Sequence, residues 1–302
     1  MVRTGTQQPL VSIVTPSRNQ GKFIERTIRS VLAQNYPHIE YIVVDGMSSD
    51  ETTNILKKYE PYITRIIREA DTGQSNALNK GFQAATGEIL AWLNSDDCYS
   101  SDSAVSEVVP FLGDNACDLV YGRRKHIDAQ GNGVAFARPF RQFSYDTLKR
   151  WGYIPQECCF WTSEIYQRAG GFVDETYKMA MDYELWMRML KNGARFLAVD
   201  RQVGFYRVHS ESKSVANWKT KGLQEVARVQ TEYCETVLTP QEMHLASIDY
   251  YTGIQCSHVP IFNTIVGALW SLMEKRVVPF KGSMPLDGWT YGDANLLERN
   301  RT

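Results

Sequence analysis

The sequence has no CxxC pair, no apolar stretch approaching the thickness of a bilayer, and almost no net charge. Each absence closes off a class of protein. The six cysteines (Cys98, Cys117, Cys158, Cys159, Cys234 and Cys256) form no compact framework, and two of them are chain neighbours. In a chain of this size they read as reduced thiols in a cytoplasmic protein, with no zinc site. A bilayer span needs roughly 18 apolar residues. The longest apolar segment, Ile261 to Met273, falls short and contains Asn263, Thr264 and Ser271. Residues 1–8 are polar, lack the apolar region of a secretory signal, and are expected to be flexible. The chain is therefore expected to be soluble, or at most to rest on the inner face of a membrane. A net charge of −1 argues against a broad nucleic-acid-binding face.

What is present is an ordinary globular composition, 43% hydrophobic and 22% charged over 302 residues. That suits one large domain or one domain with an appendage. The organising stretch is Glu88-Ile-Leu-Ala-Trp-Leu-Asn-Ser-Asp-Asp97. An apolar run following Thr86-Gly87 reads as a strand buried on both faces, ending in small polar residues. Adjacent carboxylates at Asp96 and Asp97, with no neighbouring Lys or Arg, repel each other and call for a cation. Oxygen ligands of this kind suit Mg²⁺ or Mn²⁺ bridging to substrate phosphates. A polar loop in which Ser95 and Asp96 cap the next helix fits the same residues.

Before that stretch the chain alternates strand and helix. Strands are expected at Leu10 to Thr15, Ile39 to Val44 and Ile63 to Arg68, with helices at Lys22 to Gln34, Ser48 to Tyr59 and Gly73 to Ala85. This β-α-β rhythm predicts a mostly parallel sheet flanked by helices. The loops 16–21, 45–50, 71–75 and 94–97 then share one edge, where ligands sit in such sheets. Afterwards the pattern changes. It predicts a helix over Ser103 to Leu112, a strand at Asp118 to Tyr121, and a hairpin over Lys125 to Ala137. Further strands are expected at Tyr153 to Trp161, Arg195 to Asp200 and Val203 to Val208, and helices at Glu164 to Ala169 and Asp182 to Lys191. From about Asn217 the pattern is helical, and beyond Pro279 it is irregular.

At Val11-Ser-Ile-Val-Thr-Pro-Ser-Arg-Asn19, Ile42-Val-Val-Asp45-Gly, Ser48-Ser-Asp50, Asp71-Thr-Gly-Gln-Ser-Asn-Ala-Leu-Asn-Lys-Gly81, Ala85-Thr-Gly-Glu88, Asn94-Ser-Asp-Asp97, Gly170-Gly-Phe172, Asp182-Tyr-Glu-Leu-Trp186 and Tyr206-Arg-Val-His209, the sequence resembles the family 2 glycosyltransferases. The resemblance covers about residues 9–214. It implies a GT-A fold (α/β, Rossmann-like) and inverting transfer of a sugar from a nucleotide diphosphate donor, with a UDP-sugar as the expected donor. It also implies a glycan or lipid-linked glycan acceptor. The domain expected is 9–215, followed by a helical C-terminal extension, 216–302, with an irregular tail.

The resemblance also assigns roles. Asp45 would accept a hydrogen bond from the donor's base, with Thr15, Pro16 and Asn19 lining base and ribose. Gln74, Asn79 and Lys80 could reach ribose or phosphate, helped by a helix N-terminus; a solvated polar face fits them too. Asn94-Ser-Asp96-Asp97 occupies the family's DxD position with Asn in place of the first carboxylate, which makes Asp96 and Asp97 metal ligands and sets Asp96 beside the nucleotide. His209 is the candidate third ligand, with Lys213 adding positive charge. Asp182 matches the general base, with Met181 where the family often has Glu. A carboxylate opening a helix is stabilised as an anion by the dipole, whereas Met179, Met181 and Trp186 would desolvate it and push the other way. Glu184 is the reserve base, and Glu184, Gln156 and Trp161 stand on the acceptor side. Ile261 to Met273 could touch a membrane surface, form a homodimer contact or be a plain buried helix. A nucleotidyltransferase, or a nucleotide- or glycan-binding protein without turnover, are the rival readings.

Overall fold

The structure, a computed structural model, describes residues 8–113, 116–134, 140–213 and 221–252. The segment Ile261 to Met273, the tail beyond Pro279 and residues 1–7 lie outside them. The first half runs β1 (Val11–Ser17), α1 (Ile24–Leu32), β2 (Ile39–Asp45), α2 (Thr52–Tyr59), β3 (Arg65–Arg68), α3 (Gln74–Ala84) and β4 (Ile89–Trp92). Then come β5 (Cys98–Tyr99), α4 (Ala104–Val108), β6 (Leu119–Ile127), β7 (Gly133–Val134), α5 (Tyr145–Arg150), β8 (Cys159–Thr162) and α6 (Ser163–Arg168). The described chain finishes with α7 (Met181–Lys191), β9 (Phe196–Arg207), α8 (Leu223–Tyr233) and α9 (Pro240–Thr252).

The strands join one sheet in the order β3-β2-β1-β4-β8-β6-β9-β5, with β7 paired to β6. The first four strands are mutually parallel. Beyond β4 the sheet is mixed: β8 runs antiparallel to both β4 and β6, and β9 runs parallel to β6. Alternate residues of β1 and β4 feed opposite layers, as a pleat requires. Val14, Leu90 and Trp92 pack with Ala77, Leu78 and Phe82 of α3. Ile13, Ile89 and Ala91 pack with Ile24, Ile28 and Val31 of α1. Both faces of the central strands are therefore covered, which is why their sequence is apolar without alternation.

Two expectations need correction. Tyr153 to Trp161 is not one strand. Pro155 has no N–H to give a ladder, and Gln156–Cys158 coil into a single 3-10 turn, closed by the Cys158 N–H on the Pro155 carbonyl (3.0 Å). Only Cys159–Thr162 joins the sheet. The segments 195–200 and 203–208 are not two strands but one 12-residue strand, Phe196–Arg207. The polar residues Asp200, Arg201 and Gln202 that suggested a break coincide with register shifts against β6, and a bulge absorbs the irregularity without ending the strand.

Candidate active site

The carboxyl ends of β1, β2 and β4 and the N-terminus of α3 meet at one edge. Asp45 closes β2 with its side chain fully buried. It accepts from the Ser48 N–H (3.2 Å) and faces the Arg68 Nε at 3.3 Å. Asn19 takes a left-handed φ of 53°, which Asn tolerates better than most residues. Its N–H donates to Ser48 Oγ (2.8 Å) and its Oδ1 accepts from the Ser49 N–H (2.9 Å). Asn19 thus clasps the loop after Asp45. Thr15 and Pro16 are buried in β1. The Thr15 hydroxyl accepts from Tyr41 (3.2 Å) inside the core, so the backbone of Thr15 is what it can offer a ligand. Gly46 is required for close approach: a Cβ there would lie 2.0 Å from Asp71 Oδ2.

Asn94 is the hub beyond β4. Its Oδ1 accepts from Trp92 Nε1 and Gln74 Nε2, each at 2.7 Å. Its Nδ2 donates to Gln156 Oε1 (3.0 Å) and Asp97 Oδ2 (3.2 Å). Gln156 in turn donates to the Trp92 carbonyl, and Lys213 Nζ donates to Gln74 Oε1 (2.9 Å). The amide is saturated at both ends, so an Asp at 94 would lose two donors and face two acceptors. Asn in place of the first carboxylate is therefore the residue this network demands.

Asp96 and His209 converge, with Oδ2 and Nε2 3.0 Å apart, and the imidazole also packs on Phe23 at 4.5 Å between ring centres. Asp97 does not join them as a metal ligand. It is 1% exposed and turned inward, accepting from the Arg207 N–H at 2.9 Å. Burial, then Asp96 and Glu157, push its carboxyl well above the usual range. Among the described residues no group of three or more His, Cys, Asp or Glu side chains could hold a metal ion. Asp96 and His209 remain a pair. That still suits Mg²⁺ or Mn²⁺, which commonly take one or two protein ligands and complete their shell with phosphate and water.

Arg207 underlies the whole loop. Its guanidinium is buried, donates through Nε to the Asp96 carbonyl (2.8 Å) and through Nη1 to the Asp128 carbonyl (3.0 Å), and stacks over Phe23. Sequence reasoning passed over it, although it sits inside the Tyr206-Arg-Val-His209 motif.

On the other wall, Asp182 occupies the first turn of α7. The competition between helix dipole and desolvation is decided by desolvation: burial pushes its carboxyl up to about 6 against the Tyr183 N–H bond (2.8 Å) and the Arg124 charge, and Glu157 adds repulsion. Glu157 is buried, pairs with Arg124 at 3.1 Å, and acts on both Asp97 and Asp182. The two acidic clusters therefore share one electrostatic neighbourhood. Glu157 and Arg124 were missed; only adjacency to Gln156 marked the former.

Other predicted residues are committed elsewhere. Trp161 is 0% exposed and packs edge-on against Trp186 and Phe82, so it is core and touches no acceptor. Glu184 is 2% exposed, binds Arg188 through both oxygens (2.7 and 2.9 Å) and accepts from Tyr233 (2.8 Å), so it faces the protein and not the cleft. Asn79 bonds the Val173 N–H and carbonyl (2.7 and 2.9 Å) and Glu175. Lys80 holds the Ala70 carbonyl (2.7 Å) and Glu69. Both stitch α3 to neighbouring loops.

A parallel α/β sheet extended by a mixed half, with acidic loops at the strand ends, defines a protein of the GT-A class. The family model for Glycosyl transferase family 2 matches residues 12–169, more than half of the 302-residue chain. The chain belongs to that family and is a glycosyltransferase. It is 29% identical over 216 residues to the Bacillus subtilis (strain 168) glycosyltransferase TuaG, named for teichuronic acid biosynthesis, covering 70% of this chain and 84% of TuaG. It is 31% identical over 189 residues to the uncharacterized glycosyltransferase Rv1514c of Mycobacterium tuberculosis, covering 61% and 70%. Among solved structures, S. aureus TarS 1-349 in complex with UDP-GlcNAc superposes with a TM-score of 0.63 at 17% identity, over 80% of this chain and 71% of that one. The mannosyltransferase PcManGT from Pyrobaculum calidifontis, in complex with GDP-Man and Mn²⁺, gives 0.62 at 18%, over 97% and 86%. At these identities both likenesses speak to the fold.

Proposed function

We propose that this chain transfers a sugar, with inversion, from a UDP-sugar to a hydroxyl of a glycan or lipid-linked glycan, with Asp182 as general base. The observation that carries the reading is the basic carboxylate of Asp182, raised to about 6 by burial, in the same charged neighbourhood as the Asp96–His209 pair. In the step, the acceptor oxygen attacks the anomeric carbon and its proton passes to the Asp182 carboxylate. The bond from that carbon to the diphosphate oxygen breaks, and the nucleoside diphosphate leaves with the bonding electrons. A general base near neutrality is matched to this task. Asp45 and the Asn19 loop bind the base and ribose, and Arg68 holds Asp45 in place. Asp96 and His209 would hold a divalent cation, which when bound offsets the charge developing on the leaving diphosphate. Lys213, lowered from its usual range by desolvation and then by Lys178, stands beside Gln74 and can supplement that charge. Gln156 fixes Asn94 on the acceptor side.

The name of TuaG supports a cell-surface polysaccharide as the destination of the sugar, and a UDP-GlcNAc complex of TarS supports the donor class. A thermal-shift panel of UDP-GlcNAc, GDP-mannose, UDP and GDP, with and without Mn²⁺, tests the reading. Metal-dependent stabilisation by a UDP ligand, about 2.7 kcal/mol at a hundredfold excess over Kd, is expected. Release of pyrophosphate in place of a nucleoside diphosphate would turn the assignment to nucleotidyl transfer.

A further inference from the structure

We propose that Glu225, on α8, is a positioning residue for the base, gathering the backbone N–H groups that lead into α7 and fixing how Asp182 enters the cleft. The proposal rests on Asp182 being the base. Ala180, at the N-cap of α7, has no side chain with which to cap, and no side-chain cap is made there. The Glu225 carboxylate supplies what is missing from a distant part of the chain. It accepts from the N–H of Lys178 (2.9 and 3.0 Å), Met179 (2.7 Å) and Ala180 (2.9 Å).

The rest of α8 docks the same segment. Arg228 sits 3.6 Å from the Tyr177 ring centre and 3.6 Å from Asp174. The Tyr177 hydroxyl donates to Glu232 (3.3 Å), and Tyr233 donates to Glu184 within α7 (2.8 Å). Arg228, Glu232 and Tyr233 fasten side chains; Glu225 alone of the four holds the backbone next to the base.

The carboxylate also has an electrostatic consequence. Free N–H groups at a helix entry carry partial positive charge that stabilises a nearby anion. Glu225 matches the one at Ala180, together with the Lys178 and Met179 N–H groups just before the helix, and Asp182 is left with the Tyr183 N–H and its own. The groups facing Asp182 from other elements are Arg124, which stabilises its anion, Glu157, which opposes it, and the thiol of Cys159. Lys178 precedes the helix, and Lys213 feels Glu225 across the cleft. Removing the Glu225 charge should leave the helix entry uncompensated and make Asp182 a weaker base.

The test uses the full chain and its Glu225→Ala and Glu225→Gln variants. Amide hydrogen exchange reads the anchor without turnover. Nucleoside diphosphate release from UDP-GlcNAc and from GDP-mannose, with Mn²⁺ and water as acceptor, reads the base. Thermal shift with the same donors reads binding. In Glu225→Ala we expect exchange at residues 178–180 to rise by about tenfold or more, and release to fall by roughly 10- to 100-fold. Donor binding should change by less than about threefold, and the acidic limb of the pH–rate profile should move to lower pH. Glu225→Gln keeps an acceptor oxygen without the charge, so it should retain most protection while showing the same displacement of the limb. Unchanged exchange in Glu225→Ala overturns the proposal. So does faster exchange with an unaltered rate and pH profile, or a loss of donor binding equal to the loss of rate. A parent that releases neither UDP nor GDP overturns the transferase reading instead, and the exchange data tell the two failures apart.

Discussion

Asp97 is buried and Asp182 partly so, and the protein treats them differently. Asp97 accepts from the Arg207 backbone and from the Asn94 amide, which ties it into a network crossing four elements. Asp182 accepts from the N–H of its neighbour Tyr183 and from its own, with one attractive and one repulsive charge nearby. A carboxylate whose oxygens are used up holds a loop in shape. One that stays partly exposed, and is pushed up to about 6, can exchange a proton with what enters the site. What sets the two acids apart is exposure and the reach of their bonds: Asp97 is tied to β9, whereas Asp182 bonds only within its own turn.

The comparison breaks most sharply at Asp182. Asp182→Asn should lower transfer by about 10²- to 10⁴-fold while the thermal shift with donor and Mn²⁺ persists; an undiminished rate would remove the base. In the parent, turnover should fall as pH drops below about 6, because the carboxyl becomes protonated. Stability should move the other way. Between the ordinary carboxylate value and about 6 the folded state binds the extra proton, so stability declines as pH rises through that window. Asp182→Asn should flatten that slope in denaturant titrations taken from pH 4 to 7.

Trp161 probes the core that both walls rest on. Trp161→Ala should cost about 3–5 kcal/mol in denaturant unfolding. Its indole N–H has no partner, so Trp161→Phe should cost distinctly less; equal losses would mean that the N–H matters after all.

Asn94→Asp tests the scaffolding wall. Restoring a carboxylate beside Asp97 should cost roughly 1–3 kcal/mol at neutral pH, with the loss shrinking in acid. Stabilisation by the new charge, with tighter Mn²⁺ binding, would contradict the saturated network. The smallest effect is expected at Tyr233→Phe, which removes one bond to the buried Glu184. About 1 kcal/mol should be lost, with the transfer rate nearly unchanged, since Glu184 faces Arg188 and not the cleft.

The half of the molecule up to Asp97 was readable because its signals are local. Apolar runs ending in Pro16, Asp45 and Asn94, and the 3.6-residue spacing of Ile24, Ile28 and Val31, name strands and helices wherever the chain folds. Motifs single out Asp45, Asp96, His209 and Asp182 as candidates, because a motif is local too. The roles of Asn79, Lys80, Trp161 and Glu184 could not, because each depends on which segment packs opposite: the loop at 173–175, the carbonyl of Ala70, the ring of Trp186, the hydroxyl of Tyr233. Arg207 and Glu157 were invisible for the same reason, since nothing beside them in sequence says that they are buried beneath an acidic loop.

The order of strands and helices, the family and the acidic residues at the strand ends follow from the chain itself, because periodicity and short motifs are properties of neighbours. Tertiary structure alone decided which acid turns inward, why an amide replaces the first carboxylate, and that a glutamate from α8 holds the backbone leading into the helix of Asp182. Those are matters of donors, acceptors and buried charge meeting across distances of up to 110 residues, and no local pattern carries them.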